Sequence, residues 1–341
     1  MKILVTGSAG FMASHLVDFL LEKGHQVWGI DDLSGGYLEN VNPKSFFYKL
    51  DLRNNIKTVS LIKKIKPQLI YHLAADATEG RSQFTPLSST ERNYLACINV
   101  LIGAAKANIQ RIIMTSSFSV YGDQKPPFNE NMQTQPVDIY AVSKTAMEQA
   151  TKIMAKVHGF EYTILRPHNC YGPRQNMADP YRNVIAIFIN CLLQNKRFYI
   201  YGDGKAKRSF SYIDDVTPYI AKAGLSNKTK NEIINIGPRD QYTINHLAKI
   251  VLSHFFKDPN NIPEQLKPKY VKTRPQEVKF ATCSDKKVRK LLNFKKSTTL
   301  EEGVAKMVAW AKKVGPKKFV YLKNLEIENR QTPITWKNKL I

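Results

Sequence analysis

The first fifteen residues, MKILVTGSAGFMASH (1–15), decide the fold. KILVTG (2–7) is short, apolar and partly β-branched, which reads as a buried strand. FMASHLVDFLLEKG (11–24) spaces its apolar residues at helical period and closes near Gly24. The chain must therefore turn sharply at TGSAG. Gly7 and Gly10 permit that turn and let a ligand approach the backbone, and Ala13 is small enough for close helix–strand packing. A helix starting there offers free N–H groups and a positive dipole end to a pyrophosphate. Glycines alone are a weak signal; a strand before and a helix after them supply the context.

The same alternation continues outward. HQVWGIDD (25–32), PQLIYHLAA (67–75), QRIIMTSS (110–117) and EYTILRPHN (161–169) read as strands. KTVSLIKKIK (57–66), NYLACINVLIGAAKAN (93–108) and IYAVSKTAMEQATKIMAKVHG (139–159) read as the helices between them. Such βαβ units imply an α/β fold with a doubly wound parallel sheet covered on both faces. Beyond residue 175 the alternation weakens into NVIAIFINCLLQNK (helix), RFYIYGDG (strand and turn), SFSYIDDVTPYIAKAG (strand into helix) and EIINIG (strand). We expect a dinucleotide-binding domain over 1–175, a smaller mixed α/β substrate domain over 176–315, and a basic tail over 316–341. A segment near 208–238 should return to the first domain. Trp336 and Leu340 suggest that the tail docks on the body.

The second strand ends in Asp31-Asp32. A carboxylate there can accept from adenosine ribose hydroxyls and would repel a 2′-phosphate, so NAD is favoured over NADP. Asp51 and Leu52 are placed to hold an adenine ring, and the small residues after Leu73, Ala74 and Ala75, leave room for the cofactor.

Composition bounds the rest. The chain has 341 residues, 43% of them apolar, which is globular rather than disordered. Its four cysteines (Cys97, Cys170, Cys191, Cys283) form no C-x-x-C, so neither a disulfide framework nor a structural zinc is expected, and no metal site is assigned. The N-terminus lacks a signal-peptide core, and no apolar run reaches the roughly 18 residues of a membrane span. A cytoplasmic location is expected. The net charge of +23 is uneven, +4 over residues 1–180 and +19 over 181–341. It favours an anionic ligand, though the lysines are scattered, as in LKPKYVK and DKKVRK, and read mainly as a solvated surface rather than a nucleic-acid site.

YAVSK (140–144) puts Tyr140 and Lys144 one helical turn apart, on one face. Spacing alone does not separate a general base from a surface tyrosine. TGSAGF, DDLSGG, HLAA, TSS with VYG, YAVSK, RPHNCYGPRQN, YGDG, SYIDDV and RPQEV also occur in this order. Together, over about residues 1–310, they resemble the extended short-chain dehydrogenase/reductase family, and within it the nucleotide-sugar 4-epimerases. The resemblance implies a Rossmann NAD domain with a smaller nucleotide-sugar domain, and a homodimer built on helices around 90–107 and 140–157.

The resemblance makes Tyr140 the catalytic tyrosine, Lys144 its partner and a holder of the nicotinamide ribose, and Ser117 the hydroxyl on the reacting sugar oxygen, with Ser116 and Ser119 as its rivals. A nearby ammonium and a cationic nicotinamide should favour the phenolate of Tyr140. The resemblance also brings Phe11 and Met12 to the pyrophosphate, Asn93 to the ribose or nicotinamide, and His168 beside the nicotinamide pocket. For the substrate it selects Asn169, Asn183, Val184 and Tyr201, with Arg208 and Arg274 on the diphosphate, Glu277 at the nucleotide ribose and Ala281 beside the sugar 2-substituent. It implies NAD-dependent epimerisation at C4 of a UDP-hexose, UDP-glucose and UDP-galactose, with the N-acetylated pair admitted by the small Ala281.

Dehydratases of this family carry an Asp-Glu pair near Ser117-Phe118, and uronate decarboxylases carry Glu at the position of Ser119; this chain has neither. A dehydratase or a UDP-uronate 4-epimerase stays open as an alternative, because DATEGRSQFTPLSSTE after HLAA and SFSY after Arg208 depart from the family pattern. A non-catalytic sensor or nucleic-acid-binding protein is the reading from another class.

Overall fold

A computed structural model describes residues 1–258, 261–278 and 280–341. Seven parallel strands form the main sheet: β1 (Lys2–Thr6), β2 (Gln26–Asp31), β3 (Phe46–Lys49), β4 (Leu69–His72), β5 (Arg111–Thr115), β6 (Glu161–Pro167) and β7 (Glu232–Ile236). Their spatial order is β7-β6-β5-β4-β1-β2-β3. Along β1, Ile3 and Val5 point into one apolar core and Leu4 into the other. A strand buried on both faces belongs at the centre of a sheet covered by helices.

Helices α1 (Phe11–Glu22), α2 (Asn55–Ile65), α3 (Ala96–Lys106) and α4 (Ile139–His158) follow in chain order, then α5 (Val184–Leu193) and α6 (Ile213–Leu225). The later helices are α7 (Ile244–Ser253), α8 (Lys286–Leu292) and α9 (Leu300–Val314). Leu16 of α1, Ile220 of α6 and Val288 of α8 cover the Ile3 face. Ile62 of α2, Val100 of α3 and Met147 of α4 cover the Leu4 face. Strand order reverses between β1 and β4, so the connections leaving their C-terminal ends run to opposite faces and leave a crevice above the sheet.

A third apolar core joins α5, α7 and α9 through Phe188, Ile189, Leu247, Val251, Val304 and Met307. Short strands ring it. Tyr199–Tyr201 pairs with Lys269–Val271, and Lys207–Arg208 lies between Tyr242–Thr243 and Phe280–Ala281. This unit stands over the crevice.

The C-terminal tail packs across both units. Trp336 is buried edge-on against Phe84 and Tyr181, with ring centroids 5.9 and 5.3 Å away. Glu326 accepts the N–H groups of Leu87 and Ser88 at 2.7 and 2.8 Å. Tyr321 donates to the carbonyl of Ile341 at 3.0 Å. Trp336 thus docks as expected from its apolarity, while Leu340 remains 37% exposed. No helix among the described residues is long and apolar enough to cross a membrane.

Candidate active site

Gly7 leaves β1 with φ of +71°, and a Cβ there would lie 2.8 Å from the backbone of Ala74. Conformation and space both require glycine. Gly10 caps α1 with no side-chain hydrogen bond, which leaves the first-turn N–H groups for a ligand. They lie at the wall of a cavity of about 670 Å³ that extends to Ile341. That volume suits a small-molecule or cofactor site.

Phe11, Met12, Asp31, Asp32, Asp51, Leu52, Leu73, Ala74 and Ala75 all line the cavity. The buried carboxylate of Asp31 accepts from Ala9 N–H at 3.1 Å and from Leu33 N–H at 2.7 Å, so it also braces the glycine turn. Burial raises its pKa, and those backbone bonds oppose the rise. Asp32 pairs with Arg92 at 3.1 Å. Asp51 pairs with Arg53 at 2.6 Å, and that hydrogen bond is the main reason its pKa is lowered.

Ser117 and Tyr140 meet the cavity where β5 ends and α4 begins. Asp138 caps α4 by accepting Ala141 N–H at 2.7 Å, which places Tyr140 in the first turn. The Ser117 hydroxyl accepts from the Ser119 hydroxyl at 2.8 Å. Burial pushes the Tyr140 phenol well above its usual range; the charges of Glu79 and Asp138 act the same way, and hydrogen bonding with Ser117 opposes them. In the protein alone the phenol is therefore favoured, and the phenolate expected from the sequence calls on a cationic nicotinamide as well as the ammonium. Lys144 cannot reverse it in the protein alone, because its Nζ is buried, donates to the Thr115 carbonyl at 2.8 Å and lies 5.7 Å from the tyrosine ring centroid. Burial brings the lysine itself down to about 8.

Lys144, Asn93 and His168 are buried and do not line the cavity. The Asn93 amide donates to the carbonyls of Asp76 and Ser89 at 3.1 and 2.8 Å and accepts Asp76 N–H at 3.1 Å. Its visible work is to shape the loop after β4. His168 is pushed down to about 4 by burial, which keeps it neutral, and sits edge-on to Phe118 at 6.2 Å.

Asn169, Asn183, Val184, Tyr201, Arg208, Arg274, Glu277 and Ala281 also line the cavity. Asn183 takes a left-handed backbone (φ +66°) before α5, a conformation that asparagine tolerates. The Glu277 carboxylate lies 3.1 Å from Arg274 and 3.8 Å from Arg208, holding the two guanidiniums side by side. Arg274 also stacks over Tyr201 at 4.7 Å.

Several lining residues have no counterpart in the sequence reading. Glu79, Arg81 and Asp138 line the cavity, the first and last of them acting on Tyr140 by charge, and Leu322, Thr335 and Ile341 of the tail line it as well. The EGRS turn after HLAA was visible as a departure from pattern, but no local signal ties residue 335 to residue 201.

The sequence model of the NAD dependent epimerase/dehydratase family matches residues 3–237. The chain belongs to this family. It is 35% identical over 316 residues to a putative UDP-glucose 4-epimerase of Methanocaldococcus jannaschii, covering 91% of this chain and 98% of that one. The UDP-glucose 4-epimerase of Thermotoga maritima, solved with UDP-glucose, superposes with a TM-score of 0.83 at 31% identity, over 92% of this chain and 99% of that one. The UDP-glucuronic acid 4-epimerase of Bacillus cereus, solved with UDP-glucuronic acid and NAD, gives 0.81 at 28%, over 92% and 100%. This family member is an NAD-dependent nucleotide-sugar enzyme of the epimerase type.

Proposed function

We propose that the chain interconverts the C4 epimers of a UDP-hexose, UDP-glucose and UDP-galactose, through a transient 4-keto sugar. The supporting observation is one cavity lined by the open glycine turn, by Ser117 and Tyr140, and by the Arg208–Glu277–Arg274 cluster. Gly7, Gly10 and the uncapped start of α1 suit the pyrophosphate of NAD, and Asp31 and Asp32 suit its adenosine ribose. When bound, NAD supplies the hydride acceptor and donor. Tyr140 takes the proton from the 4-hydroxyl and gives it back, with Ser117 holding that oxygen. Arg208 and Arg274 grip the diphosphate while the sugar turns, which keeps the reacting carbon within reach. Lys144 holds the end of β5 through Thr115 and supplies positive charge behind the tyrosine.

Ser119 stands where an acid would serve decarboxylation, and Ser117-Phe118 replace the acid pair of dehydration. Both substitutions support simple epimerisation. Ala281 leaves space for a 2-acetamido group, so the N-acetylated pair is proposed as a second substrate. Leu95, Val142, Ile153 and Val157 are exposed on the helical face around 90–107 and 140–157, which supports a homodimer there. Light scattering of the purified protein tests the dimer.

The function is tested by incubating the protein with NAD and, separately, UDP-glucose, UDP-N-acetylglucosamine and UDP-glucuronate, reading anomeric protons by NMR. A C4 epimer that is lost in Tyr140→Phe is expected. No product from any of the three overturns the reading.

A further inference from the structure

Glu79 begins the single turn Glu79–Ser82 in the loop after β4. It lines the same cavity as Tyr140, Ser117 and Asp138, and its charge is felt by Tyr140. Among the described residues, no hydrogen-bond donor or ion-pair partner reaches its carboxylate. Asp138 repels it, and Arg208 and Arg274 attract it. Burial, the largest influence, pushes the carboxyl up to about 7. Asp138, the second carboxylate on this side, is occupied in capping α4.

The cations near this pocket already have acidic partners. Arg81 pairs with Asp76 at 2.6 Å and stacks over Tyr181 at 5.0 Å. Arg182 pairs with Asp179 at 2.9 Å. Arg208 and Arg274 share Glu277. A sugar entering here meets one carboxylate without a protein donor, beside the catalytic tyrosine. Hydroxyl groups would supply the missing donors, whereas a carboxylate on the sugar would add a like charge in a poorly solvated space.

We propose that Glu79 is a specificity-determining residue of the epimerase site, accepting hydrogen bonds from the hydroxyls of an uncharged hexose and excluding UDP-uronates. This rests on the UDP-sugar reading above and narrows it. The B. cereus relative solved with UDP-glucuronic acid shows that the same fold accommodates a uronate, so the distinction has to come from side chains in the pocket.

Calorimetry on the NAD-loaded full-length protein gives the dissociation constants of UDP-glucose and UDP-glucuronate, and NMR gives kcat/KM for each. At pH 9, where the Glu79 carboxyl is ionised, the wild type should favour UDP-glucose by about tenfold or more in both kcat/KM and affinity. Glu79→Gln keeps the shape, removes the charge, and should narrow both ratios at least about tenfold. Equal binding of the two sugars by the wild type overturns the proposal without need of any variant. Ratios unchanged in a folded Glu79→Gln also overturn it. A 4-keto-6-deoxy product that disappears in Glu79→Gln would make the residue an elimination base instead. Preferential, Glu79-dependent binding of UDP-glucose without turnover would support the specificity role while sinking the epimerase reading.

Discussion

Replacing Glu148 by glutamine tests the support under helix α4. Glu148 lies two turns along α4 from Tyr140, and its carboxylate accepts two hydrogen bonds from Arg166 of β6, at 2.8 and 2.6 Å. Both side chains are buried, 1% and 3% exposed. The third guanidinium nitrogen, Nη1, has no acceptor, and the group stacks over Tyr121 at 4.7 Å. Glutamine leaves the shape but strands a buried cation. Breaking one side of such a pair costs about 3–5 kcal/mol, far above the about 0–1 kcal/mol of a surface pair. The shift of the urea midpoint at constant m measures the loss. The double variant Glu148→Leu with Arg166→Met removes both charges and should recover most of the stability. Activity adds a second readout, because moving α4 by about 1 Å would cost roughly 100-fold in rate through Tyr140. A loss below about 1 kcal/mol in Glu148→Gln refutes the reasoning.

Tyr140→Phe should retain NAD and lose at least about 100-fold in kcat, since only the transferable proton is removed; bound NAD and turnover are measured on one sample. Gly7→Ala must adopt φ +71° with its Cβ 2.8 Å from Ala74, so NAD retention after gel filtration should fall sharply while far-ultraviolet dichroism stays near wild type. Trp336→Ala removes a side chain that is 4% exposed, and should cost about 3–5 kcal/mol and raise KM more than it lowers kcat, because the tail walls the substrate end. Glu79 has its carboxyl raised from 4.5 to about 7, so its contribution to apoprotein stability is present below pH 4.5 and is lost as pH rises through about 7. Glu79→Gln should therefore match the wild type at pH 4 and exceed it by up to about 3 kcal/mol at pH 8; equal stabilities at pH 8 would contradict this.

Residues near one another in the chain carried most of the fold. The apolar run of β1, the turn at Gly7 and Gly10 and the period of α1 are local features, and local chemistry sufficed to read them. The same holds for the carboxylates Asp31 and Asp32 at the end of β2, whereas Tyr140 needed the ordered set of motifs, since its spacing from Lys144 alone does not separate a base from a surface tyrosine. Motif order reached further, and every lining residue expected on the substrate side does line the cavity.

Tertiary structure alone decided which groups meet over long separations. Glu277 clasps Arg208, Thr335 meets Tyr201, and Lys144 spends its proton on Thr115 instead of on the phenol. Burial, which sets the titration of Tyr140 and Glu79, depends on what packs above a residue, not on its neighbours in sequence. Strand period and helix period are written in consecutive side chains; desolvation and pairing arise only when distant segments close on one another, as the tail does over the loop after β4.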